Sequence, residues 1–377
     1  MNRVKALGGA GQSVWLDYMQ RSLVTRGELA RLIDNDGIRG LTSNPTIFQK
    51  AVEGSRDYDD LFTEMAPRRA SVAEVYDALT LRDIGDAARV FRPVWDATAR
   101  RDGYCSLEVS PKLAHDTQGS IQEARRLWKA LGAPNVMIKI PGTPEGVPAI
   151  EQCIGEGLNI NVTLLFSQEA YAAVAEAYLR GLERRAREGL DLSGVASVAS
   201  FFVSRIDSEV EKRIDQARSA GVDERRSRLF DEVTGKVAIA NAKVAYRRYQ
   251  SLFAGPRWEA LARKGAKSQR VLWASTGTKS PKYSDVLYVE ELIGPDTVNT
   301  VPPATLDAFR DHGRVRPSLT EDLPGAEATL GKLGEAGISM KDVTDALVVD
   351  GVKKFADSFD ELWKAISERL AARGGRA

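Results

Sequence analysis

Cysteine and histidine are almost missing from this chain, with two of each in 377 residues. Cys105 and Cys153 cannot build a disulfide framework. Cys105 lies in an apolar run and reads as a small buried hydrophobe. His115 and His312 are too few for the nitrogen and sulfur ligand sets of zinc, so no transition-metal centre is expected; counting alone leaves carboxylate-held magnesium open. An excess of one charge is lacking as well. The chain has 53 basic and 52 acidic side chains, a formal net charge of +1, which argues against a general electrostatic grip on nucleic acid or an anionic membrane. No run of about 18 consecutive apolar residues occurs, and MNRVKALGGAGQSVWLDY at the start contains no apolar signal core. The expectation is a reduced, cytoplasmic protein of ordinary globular composition, 43% hydrophobic and 28% charged.

What is present is a repeat of short apolar runs. Eight occur, at residues 13–17, 38–44, 104–110, 136–140, 158–166, 194–200, 270–275 and 296–302. Amphipathic segments separate them. In SIQEARRLWKALGA (120–133), Ile121, Ala124, Leu127, Trp128 and Leu131 share one helical face, and Gly132 and Pro134 end it. Strand and helix alternating eight times predict an α/β fold, a (β/α)₈ TIM barrel, formed by residues 1–377 as one domain. Extra helices fill the connections 45–103 and 203–269. Residues 303–377 form a C-terminal helical extension packed on the barrel, with a helix over 343–370; the final ARGGRA should fray.

The fourth run, VMIKI, carries one charged residue, Lys139, in a strand that reads as buried on both faces. A free lysine is only about one part in a few thousand neutral at pH 7. Desolvation can lower its pKa enough to make a nucleophilic amine, whereas nearby carboxylates raise it. A structural ion pair and a Schiff-base lysine both fit this segment taken alone. Period-two alternation resolves more. If Met137 and Lys139 face inward, so do Trp15, Asp17, Ser106, Glu108, Asn159, Asn161 and Thr163, and Asn44, Ser200 and Ser275 join them. Barrels of this type build their active sites at the C-terminal ends of the strands. One polar pocket around one lysine results.

An inward amine beside Asp17 and Glu108 suits carbon–carbon bond chemistry through an imine, with carboxylates moving protons. Asn44, Asn161 and Ser200 could hold sugar hydroxyls. Ser275 and Lys279, in ASTGTKSP (274–281) after the seventh run, and Arg205 after the sixth, could hold a phosphate. That segment lacks the upstream glycine of a P-loop, and LGGAGQ (7–12) precedes a strand instead of a helix, so no nucleotide or other cofactor is expected.

Five segments in order, GLTSNPTIF (40–48), SLEVSP (106–111), VMIKIPGTPEG (136–146), LNINVTLLFS (158–167) and SFFVSRID (200–207), resemble the signature segments of transaldolase, a class I aldolase-type barrel. STGTKSPKYSD (275–285) is similar to its longer bacterial branch. The resemblance implies transfer of a dihydroxyacetone unit from sedoheptulose 7-phosphate to glyceraldehyde 3-phosphate, in the non-oxidative pentose phosphate pathway. It implies that Lys139 forms the imine and that Asp17 is the acid/base of carbon–carbon cleavage. Glu108, with Thr163 and a water, would serve imine formation and hydrolysis. Asn44, Asn161 and Ser200 would bind the retained fragment, beside Phe202, and Arg205 and Ser275 the phosphate. Many transaldolases carry a second phosphate-binding arginine where Gly277 stands; Lys279 would replace it as a point charge. Partners are then small sugar phosphates, with no nucleic acid or membrane, on a monomer or a homodimer. One rival is a fructose-6-phosphate aldolase, although such relatives are shorter and tend to have Gln at Glu108 and Tyr at Phe202. The other is a non-catalytic phosphosugar-binding barrel, disfavoured by the intact Lys139, Asp17 and Glu108.

Overall fold

The computed structural model describes residues 2–374. Eight strands, β1 (Gln12–Asp17), β2 (Gly40–Thr42), β3 (Tyr104–Glu108), β4 (Val136–Pro141), β5 (Ile160–Leu165), β6 (Ser197–Phe202), β7 (Arg270–Ala274) and β8 (Thr297–Val301), pair in parallel in chain order. β8 closes the barrel against β1. Every strand falls on or overlaps a run expected from the sequence. Most edges shift by one to three residues, and two of these shifts have clear local reasons. The sixth strand begins at Ser197, because Asp191 closes a turn by accepting from Ser193 and Gly194 backbone N–H groups. The second shrinks to Gly40–Thr42, because Asn44 leaves the sheet to cap the helix Pro45–Gly54, accepting from Ile47 N–H at 3.0 Å.

Inside the barrel the polar residues form layers. At the floor, Arg270 pairs with Asp102 at 2.8 Å, and Ser13 and Trp15 also donate to that carboxylate. Burial would raise Asp102, but the Arg270 charge and these bonds hold it below its ordinary range. Trp15 fills the space beside Gly40, where any Cβ would meet its ring at 2.6 Å. Asn159 ties strand starts together, donating to Pro134 and Val136 carbonyls and accepting from Ala196 N–H. Above the floor, Asn161 donates to Ser106 Oγ at 2.9 Å and Ser200 donates to Asn161 Oδ1 at 2.7 Å. A shell of buried apolar residues surrounds the barrel, including both unpaired cysteines.

The mouth is shaped by two departures from regularity. β5 contains a register shift between Val162 and Leu165, and Leu164 sits at φ +59°. The last helix, Met340–Ala371, begins at a Ser339 cap and runs across the same end of the barrel. It is tied down by Thr46–Ser358 at 2.8 Å, Lys112–Asp360 at 2.6 Å and the edge-on pair Tyr76–Phe359. The expected fraying of the C-terminus falls in part on residues 375–377, outside the described residues. Among the described residues no helix is long and apolar enough to cross a membrane.

Candidate active site

Register brings the central groups together. Glu108 is the cross-strand partner of Lys139, Lys139 of Asn161, and Pro141 of Thr163. All alternate onto the inner face, where the pleat leaves them no other direction. Lys139 is 4% exposed. Its Nζ lies 3.3 Å from Glu108 Oε2 and donates to Ser43 O at 3.2 Å. The Ser43 carbonyl is free for this contact because the chain has already left β2. Among the described residues neither Glu108 oxygen has a further partner, nor does Thr163 Oγ1. Buried oxygens without partners are costly, so this corner retains hydrogen-bonding capacity beside the amine.

Asp17 ends β1 and accepts from Thr42 Oγ1 at 2.6 Å, and Thr42 is itself 2.7 Å from Thr300 Oγ1. Burial pushes the Asp17 carboxyl above its ordinary range; the Lys139 charge and the Thr42 hydrogen bond oppose this. Burial also raises Glu108, against the Lys139 charge and with help from the Asp17 charge. Two carboxyl groups displaced upward by burial share the inner face with a sheltered amine, the kind of arrangement that serves proton transfer.

A cavity of about 460 Å³ opens over Lys139. Of the expected site residues, Asp17, Asn44, Lys139, Ser200, Phe202, Arg205, Ser275 and Lys279 line it. Glu108, Asn161 and Thr163 do not; they lie in the wall behind, all essentially buried. Asn161 already uses both ends of its amide on Ser106 and Ser200, so it reaches a ligand only by sharing those bonds or by aiming the Ser200 hydroxyl. Asn44 spends Oδ1 on its helix cap, and no protein hydrogen bond among the described residues uses its Nδ2.

The other end of the cavity is cationic. Arg205, second residue of the helix Ser204–Ala220, stacks on Phe202 with the guanidinium carbon 5.2 Å from the ring centre. Its Nη1 is buried without a partner among the described residues, and burial lowers its pKa against the pull of Asp350 and Asp17. A desolvated guanidinium with a free N–H is half of an anion site. Ser275 stands beside it at φ +57°, its Oγ 3.0 Å from Ser204 Oγ. Lys279 is exposed at the rim, and so is Lys50, which no sequence argument singled out. Thr46, Ile47, Lys50 and Ala51 all line the cavity, one face of the helix that Asn44 starts. That spacing was readable once Asn44 marked the site. Phe355, from the last helix, also lines the cavity, 5.7 Å from Lys139 Nζ. No local signal pointed to it.

A family model described as transaldolase/fructose-6-phosphate aldolase matches residues 14–366. The chain belongs to that family. Similar proteins extend over nearly its whole length. A transaldolase from Trichodesmium erythraeum is 46% identical over 371 residues, covering 98% of each chain. One from Acidothermus cellulolyticus is 48% identical over 365 residues, 97% of this chain and 96% of its own. Nostoc punctiforme transaldolase 2 is 47% identical over 363 residues, 96% and 95% of the two chains. The cavity lies at the C-terminal ends of the strands, the face at which barrels of this type build their sites.

Proposed function

We propose that this chain is a transaldolase, moving a dihydroxyacetone unit from sedoheptulose 7-phosphate to glyceraldehyde 3-phosphate through an imine on Lys139. The observation that carries the reading is the buried Lys139 amine beside Glu108, at the floor of a cavity whose wall holds Asp17. Lys139 attacks the ketone carbon, and Glu108, with Thr163 and a water, moves the protons that expel hydroxide as water and form the protonated imine. Asp17 then takes the proton from the hydroxyl next to the breaking carbon–carbon bond. The bond's electron pair flows into the imine, giving an enamine, and erythrose 4-phosphate departs. The enamine attacks the acceptor aldehyde, Asp17 returns the proton, and water releases fructose 6-phosphate from the lysine. Asn44 and Ser200, with Asn161 behind Ser200, hold the fragment's hydroxyls. Arg205, Ser275 and Lys279 hold the phosphate, with Lys50 as a further cation at the same end.

Borohydride added with fructose 6-phosphate should reduce the imine and leave a covalent adduct on Lys139, located by mass spectrometry. An adduct elsewhere, or none, overturns the mechanism. Turnover with erythrose 4-phosphate but little dihydroxyacetone released without it distinguishes transfer from a fructose-6-phosphate aldolase. Equal turnover in both conditions would favour the aldolase.

A further inference from the structure

We infer that Phe355 is a positioning residue that keeps water from the Lys139 imine and so makes the enzyme a transferase instead of a hydrolytic aldolase. This rests on the transaldolase reading and deepens it. The reason for needing such a group is chemical. After carbon–carbon cleavage the three-carbon enamine must wait on Lys139 for an acceptor. If a proton reaches its carbon and one water then adds across the carbon–nitrogen double bond, the amine leaves and free dihydroxyacetone is lost. The cavity wall offers water several polar partners, Asp17, Thr42, Asn44, Ser200 and Thr300 among them. Phe355 is an aromatic side chain in that wall and its ring centre is 5.7 Å from Nζ, which places a face with no hydrogen-bonding atoms over the reacting nitrogen.

The ring is held there from both sides. One turn earlier, Gly351 packs so closely on Leu164 that an added Cβ would lie 2.8 Å from Cδ2, and Leu164 is the left-handed residue of the β5 irregularity. One turn later, Ser358 bonds Thr46 and Phe359 meets Tyr76 edge-on, ring centres 5.3 Å apart. Phe355 is 4% exposed, so the cover is packed in place. Among the described residues it is the sole member of the last helix lining the cavity. The route left for an acceptor is the cationic end with Lys50, Arg205 and Lys279, which suits a phosphorylated aldose.

The test compares wild-type protein with F355A, F355L and F355Y. Three quantities are measured with fructose 6-phosphate: borohydride adduct on Lys139, dihydroxyacetone released without acceptor, and sedoheptulose 7-phosphate formed with erythrose 4-phosphate. In F355A and F355Y the ratio of release to transfer should rise on the order of tenfold, because water then reaches the imine, while the adduct still forms. F355L, apolar and of similar bulk, should return the ratio toward wild type. An unchanged ratio in F355A and F355Y, or an equal rise in F355L, overturns the inference. F355Y decides if F355A fails to fold. Absence of an adduct in wild type overturns the transaldolase reading itself, and this inference with it.

Discussion

Glu108→Gln tests the division of labour between the two carboxyl groups. Glu108 is nearly fully buried, and Oε2 touches Lys139 Nζ at 3.3 Å while neither oxygen has another partner among the described residues. Glutamine keeps the shape, and its carbonyl oxygen still accepts from Nζ. What it removes is the negative charge and the ability to take and return a proton. Positioned acid–base groups contribute about 10²–10⁴ in rate, or roughly 3–5.5 kcal/mol of barrier. The loss should fall on imine formation and hydrolysis, because Glu108 lies behind the cavity wall beside the amine. The assay is rapid-quench borohydride trapping, which reports the rate at which the adduct appears, alongside steady-state transfer. In E108Q both should fall by a factor within that range. In D17N the adduct should form at close to the wild-type rate while carbon–carbon cleavage stalls, so the trapped species carries the whole sugar. If E108Q traps the adduct within about threefold of wild type, Glu108 is a structural counter-ion to Lys139 and the assignment of its role is wrong.

Arg205→Ala removes a buried guanidinium with an unpartnered Nη1. Charge-assisted hydrogen bonds contribute roughly 1.5–3 kcal/mol, so KM for phosphorylated substrates should rise by about 10- to 150-fold, measured by initial rates, with little change for an unphosphorylated ketose. Lys50→Ala should raise KM only about two- to fivefold, as expected of an exposed charge, and that difference should shrink in high salt; an effect independent of salt would refute an electrostatic role. Asp207 anchors the segment that carries Ser275 and Lys279, accepting from Tyr288 Oη at 2.9 Å and from Ala238 N–H at 2.8 Å. Burial raises its pKa to about 6. A carboxyl raised on folding stabilises the fold below its unfolded pKa, near 4, and that contribution is lost as pH climbs through 6. Asp207→Asn should therefore gain on wild type in denaturant-measured stability between pH 4 and 6 and level off above, by roughly 3 kcal/mol at most. A difference that is flat with pH would remove Asp207 as the titrating group.

Much of this was legible because the signals are local. Period-two alternation sends every second side chain of a strand inward, so Lys139 in a run of aliphatic residues also fixed the facing of Glu108, Asn161 and Thr163 without any knowledge of neighbours. Strand positions followed from apolar runs, and only their ends moved, among them the ends set by the Asp191 turn and the Asn44 cap. Depth within the pocket was not legible. Alternation says which face a side chain takes, but not whether it reaches the cavity, and Asn161, Glu108 and Thr163 proved to lie behind the wall. Nor does alternation reveal that the Asn159 amide is satisfied by backbone groups of flanking strands.

The sequence by itself determined the order of strands, the inward lysine and the carboxyl groups that share its face, since these depend on the pleat and on hydrophobic burial. Tertiary structure alone decided what covers the amine and which cations meet at the far end. Phe355 stands 216 positions from Lys139 along the chain, and reaches it only because the last helix packs across the barrel mouth against the helix that starts at Asn44. Contacts between surfaces so distant in sequence carry no periodic signature; they exist only once both surfaces have folded.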